Sequence, residues 1–355
     1  MKFIHCADLH LDSNMNELSA EKSRARREEL IRAFERMVDF AVENSVRAII
    51  IAGDMFDTKK VSSKTRSRIM RAIESHPDID FLYLSGNHDE DNFISGLEYL
   101  PQNLKTFSDE WTSYRYDDTV ISGVRFTKEN IGVIYDLLNP QKADKNIVVL
   151  HGQIAGYKTD EKTDIISLPK LKNKNIDYLA LGHIHFYDQK PLDDRGVYCY
   201  SGCLEGRGFD ELGEKGFVLI NTDGFKAEFI KFSYRELYSY EYDVTGKSTW
   251  YDAREEIIKN IGVYPQTSLV KVVLTGSADA DFEADVESLV KELNDIFFYA
   301  KVYDRIEVKI NIEDYATDKS VKGEFVRSVL GSDMDEETKT KVILCGLNAL
   351  KGKEI

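Results

Sequence analysis

Three features of this 355-residue chain predict an α/β fold. Short β-rich runs (KFIHCA, RAIIIAG, DFLYLSG, NIVVLHG, IDYLALGH, GVYCYSG and GFVLINT) alternate with helical patterns. The first two runs flank a stretch near Glu28 to Asn44 where Leu30, Phe34, Met37 and Ala41 share one helical face, with Ile31 and Val38 beside them. The runs near Lys2 to Ala7 and Arg47 to Ala52 are apolar without clean alternation, as strands covered on both faces are. A β-α-β start and a sheet flanked by helices are therefore expected.

The length exceeds one average domain, so a main domain with smaller appended units is expected. The pattern changes near residue 235. YSYEYDV, a helical stretch near Asp252 to Asn260, SLVKVVLTG, a second helix near Ala284 to Ile296, and FFYAKVY make a β-α-β-α-β unit. The expected division is 1–234 for the main domain, 235–312 for a small α+β domain and 313–355 for a helical tail. In the tail, Ser332 or Asp333 is the expected N-cap before Glu336 and Glu337, and Val342, Ile343, Leu347 and Leu350 form an apolar stripe. That stripe either binds a partner or packs on its own domain.

MKFIHCADLH runs straight into a core strand, without a basic flank, apolar h-region or cleavage site, and no apolar run approaches a bilayer's length. A cytoplasmic protein with no membrane partner is expected. Cys6, Cys199, Cys203 and Cys345 form no CxxC pair, which fits a reducing compartment and buried, small apolar roles. The net charge of −15 argues against broad adhesion to nucleic acid, although a local basic face or bound cations could still create a positive groove.

Five motifs carry the chemistry, each directly after an expected strand: Asp8-Leu9-His10, Gly53-Asp54-Met55-Phe56-Asp57, Gly86-Asn87-His88-Asp89, His151-Gly152 and Gly182-His183-Ile184-His185. Loops at the carboxyl ends of strands in open α/β sheets converge on one crevice, so these segments are expected to meet. Of the seven histidines, five lie in these motifs, which packing alone does not account for. On an extended segment a D-x-H or H-x-H pair puts both side chains on one side. Carboxylate, amide oxygen and imidazole form a ligand set suited to manganese, iron or zinc rather than to a calcium cage. Two ions need a bridging carboxylate, and Asp54 is the choice for it. The glycines before Asp54, Asn87 and His183 let the backbone turn where a Cβ would obstruct. Singly, each motif also has a structural reading: Asp8 as a cap, His151 as a core histidine, GDMFD as a turn.

D-x-H, GDxxD, GNHD, H and GHxH in this order resemble the calcineurin-like metallophosphoesterase superfamily, over roughly residues 1–230. IHCADLHLDS, GDMFDTKK, LSGNHDE and LALGHIH resemble its bacterial DNA-repair nuclease branch, that of SbcD and YhaO, and HLDS with SGCLEGRGFDELGEKG looks closer to YhaO. The resemblance implies a sandwich of two central sheets flanked by helices, with the α+β unit as a capping domain. It also implies two divalent ions, most readily Mn2+. Asp8, His10 and His185 would hold the first ion, Asn87, His151 and His183 the second, and Asp54 would bridge them. His88 would not be a ligand but would orient or protonate the leaving group. Asp57 stands where archaeal and eukaryotic relatives carry a histidine, and is taken as a second catalytic candidate.

The implied activity is DNA exonuclease or endonuclease, with a coiled-coil ATPase of the SbcC or YhaN type as partner and a homodimer allowed. Basic residues beside the motifs offer phosphate contacts: Arg24, Arg26 and Arg27 after the first, and Lys59, Lys60, Lys64, Arg66, Arg68 and Arg71 after the second. The competing reading is a solvated helix face. Arg207 is a candidate for phosphate binding or for loop structure. The same metal centre also serves phosphatases and phosphodiesterases acting on proteins, nucleotides or small phosphoesters, which is the alternative class.

Overall fold

The computed structural model describes residues 1–350 apart from 58–60, 87–92, 95–98, 158–164, 280–281, 310–314 and 316. These fall into two units, Met1–Leu237 and Tyr238–Ile355.

In the first unit, strands β1 (Lys2–Cys6), β2 (Val46–Ala52), β3 (Asp80–Leu84) and β4 (Leu104–Thr106) run parallel. Then come β5 (Thr112–Tyr116), β6 (Thr119–Gly123), β7 (Lys145–His151), the short pair β8 (Gln153–Ile154) and β9 (Ile165–Ile166), β10 (Tyr178–Gly182), β11 (Asp188–Pro191), β12 (Val197–Tyr200), β13 (Gly216–Asn221) and β14 (Lys226–Lys231). They form two six-stranded sheets, ordered β14-β13-β1-β2-β3-β4 and β11-β12-β10-β7-β6-β5. The inner strands of each are parallel, and the antiparallel additions lie at the margins.

Side-chain alternation along the strands explains why two sheets form. Along β2, Ala48, Ile50 and Ala52 enter the layer between the sheets, where they meet Ile147 and Val149 of β7 and Tyr178 and Ala180 of β10. Ile49 and Ile51 point the other way, against Leu30, Phe34 and Met37 of α1 (Ala20–Glu43) and Ile69 and Ile73 of α2 (Ser63–Glu74). The second sheet repeats this. Val148, Leu150, Leu179 and Leu181 face outward onto Ile134 of α3 (Ile134–Leu137) and Leu171 of α4 (Leu168–Leu171). The result is a four-layered α/β sandwich, and each fully buried Leu or Ile contributes about 1.5–3 kcal/mol.

Helix α1 starts eight residues before the expected Glu28, capped by the Ser19 side chain, which accepts from the Lys22 N–H. Its charged first turns hide the apolar period, and one of those charges is not solvated. Arg26 is fully buried, donating to Glu205 Oε2 at 3.2 Å and to the Gly206 carbonyl at 2.7 Å.

In the second unit, β15 (Leu237–Asp243), β16 (Leu269–Thr275) and β18 (Tyr299–Asp304) form a sheet. A separate parallel pair, β17 (Ser277–Asp279) with β19 (Glu307–Lys309), goes beyond the expected pattern. Helices α5 (Trp250–Ile261) and α6 (Val286–Ile296) supply Ile257, Ile261, Leu289 and Leu293 to its core. Helices Val321–Leu330 and Glu336–Leu350 pack on each other through Val326, Val329, Ile343 and Leu347. The side chain that caps the latter helix is Asp335, accepting from the Thr338 N–H at 2.9 Å, rather than Ser332 or Asp333. Cys345 is exposed, against the expectation of four buried cysteines, while the other three are buried. Among the described residues no helix is long and apolar enough to cross a membrane.

Candidate metal centre

The motifs stand at carboxyl ends of parallel strands, but of two sheets rather than one. Asp8 follows β1 and Asp54 follows β2. His151 ends β7 and His183 follows β10. Asn87 and His88, after β3, lie outside the described residues, as do Lys59 and Lys60. The first two loops zip together: the N–H groups of Asp8, His10 and Leu11 donate to the carbonyls of Gly53, Asp54 and Met55 at 3.0, 3.0 and 2.9 Å.

These loops are not extended. Asp8, His10 and Asp54 have φ of 52°, 44° and 51°, and His183 has 96°. The left-handed region is costly for a residue with a Cβ, and such residues cluster at functional sites. Asp8 and His10 thus converge through a left-handed turn, not through the two-residue alternation of a strand. Close approach explains the glycines. A Cβ on Gly53 would stand 2.1 Å from His151 Nδ1, and one on Gly86 would stand 2.1 Å from Asp54 Oδ1.

Two groups of donors result, Asp8 with His10 and His185, and Asp54 with His151 and His183, the atoms in each lying within 4.8 Å of one another. His10 Nε2 and His185 Nε2 are 3.1 Å apart. His151 Nε2 lies 3.2 Å from Asp54 Oδ2. The groups adjoin, because the His183 N–H donates to both Asp8 oxygens at 2.9 and 3.0 Å.

What lies behind the imidazoles fits a metal. His10 Nδ1 is 3.2 Å from Asp57 Oδ1, His185 Nδ1 is 2.8 Å from Glu211 Oε1, and His151 Nδ1 is 2.9 Å from the Ala52 carbonyl. An acceptor at Nδ1 fixes the tautomer that leaves the Nε2 lone pair for a cation. Three rings so anchored, with buried carboxylates between them, form a donor set for two divalent ions.

The electrostatics match. Burial raises the Asp8 carboxyl, although His185 and His151 oppose the shift. Burial alone would lower His151, but the Asp54 carboxylate reverses this and brings it up to about 10. Burial would raise Asp57, yet the His10 hydrogen bond and the Arg207 guanidinium hold it well below the usual carboxylate range. Glu211 behaves likewise: His185 and Arg207 override burial. Asp8 is thus the acid of the site that burial penalises, whereas Asp57 and Glu211 already have their compensating cations.

The structure separates the basic candidates. Arg26 is locked inside. Arg68 pairs with Glu28 and with Glu35, its Nε donating to Glu35 Oε1 at 2.9 Å. Both therefore serve the helices rather than a ligand. Arg24, Arg27 and Lys64 line one groove beside Asp12. Arg207 lies between Asp57 and Glu211. Sequence reading missed Glu211 because a lone glutamate in a glycine-rich loop looks solvated. The one signal was its segment, SGCLEGRGFDELGEKG.

A family model described as Calcineurin-like phosphoesterase matches residues 1–187. YhaO of Bacillus subtilis, described as an uncharacterized metallophosphoesterase, is 30% identical over 241 residues, covering 62% of this chain and 57% of YhaO. The DNA double-strand break repair protein Mre11 of Archaeoglobus fulgidus is 26% identical over 283 residues, covering 68% of this chain and 61% of that protein. The chain thus spans less than two thirds of these relatives' length. A dimetal phosphatase from Danio rerio has a TM-score of 0.44 at 10% identity, covering 62% of this chain and 92% of that chain. With its sandwich fold and buried carboxylate and histidine groups, this chain belongs to the calcineurin-like phosphoesterase family.

Proposed function

We propose that the chain is a two-metal nuclease that cleaves DNA phosphodiesters and works beside a coiled-coil ATPase of the SbcC or YhaN type in the cytoplasm. The observation that carries this reading is the pair of adjoining donor groups at the ends of both sheets. In it, Asp8, His10 and His185 hold one ion, His151 and His183 with Asn87 hold the other, and Asp54 serves both. The mixed imidazole and carboxylate set admits manganese, iron or zinc, and the resemblance to the nuclease branch favours manganese among them. When bound, the ions supply an activated water and neutralise charge on the phosphate during in-line displacement. The protein's own groups fix the imidazoles through Nδ1, and His88 is assigned to protonate the leaving oxygen.

DNA is favoured over other phosphoesters by the names of relatives such as Mre11 of A. fulgidus. Arg24 and Arg27, which line a groove with Asp12, Glu28 and the Glu28-paired Lys64, support it as candidate phosphate contacts. Residues 1–234 are assigned to the nuclease domain, 235–312 to a capping domain that presents DNA, and 313–355 to a partner-binding tail.

Purified protein with manganese is expected to degrade linear DNA, and His88→Ala to abolish this while keeping its metal. Hydrolysis of nucleotide monoesters or phosphopeptides without any cleavage of DNA, with or without the ATPase, would move the chain to the phosphatase class.

A further inference from the structure

The Asp8, His10 and His185 group is closed from behind by a circuit of side chains. His10 Nδ1 lies 3.2 Å from Asp57 Oδ1, and that oxygen accepts from Arg207 Nη1 at 2.9 Å. Arg207 Nε and Nη2 donate to Glu211 Oε1 at 3.0 and 2.7 Å, and the same oxygen lies 2.8 Å from His185 Nδ1. The two imidazoles complete the circuit at 3.1 Å between their Nε2 atoms. Four loops, after β1, β2, β10 and β12, are joined in this way. Each carboxylate has a further anchor: the Ser13 hydroxyl donates to Asp57 Oδ2 at 2.8 Å, and the Arg207 N–H donates to Glu211 Oε2 at 2.7 Å.

We propose that Arg207 is a positioning residue for the first metal, holding Asp57 and Glu211 so that both imidazoles present Nε2 to one point. The inference rests on the dimetal reading above. Its three side-chain nitrogens already face carboxylates, and its side chain is 19% exposed, which leaves little of it for a DNA phosphate. The guanidinium reaches the two acids with separate nitrogens fixed in one plane, a spread that an ammonium, whose donors share one nitrogen, does not match. The His151 imidazole, in contrast, is anchored by the neutral Ala52 carbonyl, outside this circuit. The effect of Arg207 is therefore confined to one of the two ions.

Two effects compete when Arg207 is removed. Taking a cation away from a cation site strengthens metal binding by simple charge. Leaving Glu211 and Asp57 without their clamp loosens both imidazoles and weakens it. Positioning dominates here, because Glu211 is almost fully buried and removing its guanidinium leaves a buried carboxylate without its cation.

The test is calorimetric titration of Mn2+ into the metal-free full-length chain, with circular dichroism to confirm folding. Wild type is expected to take up two ions. In Arg207→Ala and Arg207→Lys, one ion is expected to bind about 10–100-fold more weakly while the other keeps its affinity. Glu211→Gln is expected to show the same selective loss, and with the lysine variant it decides the matter if the alanine variant does not fold. Wild-type affinity for both ions in Arg207→Lys, equal weakening of both ions, or tighter binding in Arg207→Ala would overturn the proposal. A wild-type chain that binds fewer than two ions would sink the dimetal reading itself, before any variant is compared.

Discussion

Asp8 and His183, 175 residues apart, meet through two hydrogen bonds, the His183 N–H standing 2.9 Å from Oδ1 and 3.0 Å from Oδ2. The contact ties the end of β1 in one sheet to the end of β10 in the other and joins the two donor groups. Asp8 therefore has two duties, as an acceptor for a buried N–H and as an anionic donor to a cation. Asp8→Asn separates them, since an amide oxygen still accepts the N–H but carries no charge. The asparagine variant is expected to unfold within about 1 kcal/mol of wild type yet to lose one of two ions by elemental analysis. Asp8→Ala should lose the ion and the hydrogen bond together. Two ions retained in the asparagine variant would remove Asp8 from the centre.

Gly53 gives a sharper steric prediction. Its φ is +96°, and an added Cβ would meet His151 Nδ1 at 2.1 Å and Cγ at 2.5 Å. Gly53→Ala must either displace His151 from its group or shift the turn that carries Asp54. A left-handed alanine costs about 1–2 kcal/mol before any clash. Thermal unfolding should show at least that loss, and metal analysis should show depletion of the ion held by Asp54, His151 and His183. A fully loaded alanine variant would mean that the loops are softer than described.

The proton on His151 sets a pH dependence. Folding raises this group from about 6.5 to about 10, because Asp54 outweighs the effect of burial. A pKa raised on folding adds stability to the metal-free protein that is fully present below about 6.5 and is lost as pH rises through the folded value. An ion needs the same Nε2 deprotonated, so metal affinity should rise with pH across that window, and uptake at neutral pH should release protons. Binding heats measured in buffers of different ionisation enthalpy test this. Heats that do not depend on the buffer would contradict it.

Arg26 separates a structural cation from a ligand-binding one. It is fully buried, and its pair with Glu205 is equally enclosed. Removing one partner of such a pair costs about 3–5 kcal/mol, so Arg26→Ala should shift the denaturant midpoint strongly. It should leave the salt dependence of DNA binding unchanged, whereas Arg24→Ala and Arg27→Ala should flatten it with little loss of stability. A stable Arg26→Ala with a flattened salt dependence would return Arg26 to the phosphate track.

The same contrast shows what could be read from the chain and what could not. Asp8, His10, Asp54, His151, His183 and His185 stood out because histidines rarely gather after strands without a reason, and the structure brings these six together. The β-α-β start was legible from Leu30, Phe34, Met37 and Ala41. The earlier turns of α1 were not, since Arg26 has the same polarity whether solvated or enclosed by Glu205. The two central sheets were implied by the family resemblance and are found; the strand pattern alone did not give them, because a strand buried on both faces has the same composition in either arrangement. The D-x-H pair was found for a reason the structure corrects: residue order marked it, but left-handed φ values aim it. Glu211 had no periodicity to mark it and only its segment, SGCLEGRGFDELGEKG, as a signal, because its role depends on the return of the chain after β12.

The central claim is that the two donor groups each hold one ion. Crystals of the full chain soaked in manganese, with diffraction recorded at the manganese absorption edge, test it directly. The account predicts two anomalous peaks, one among Asp8, His10 and His185 and the other among His151 and His183, with Asp54 touching both. A single peak, or none within either group, would contradict it.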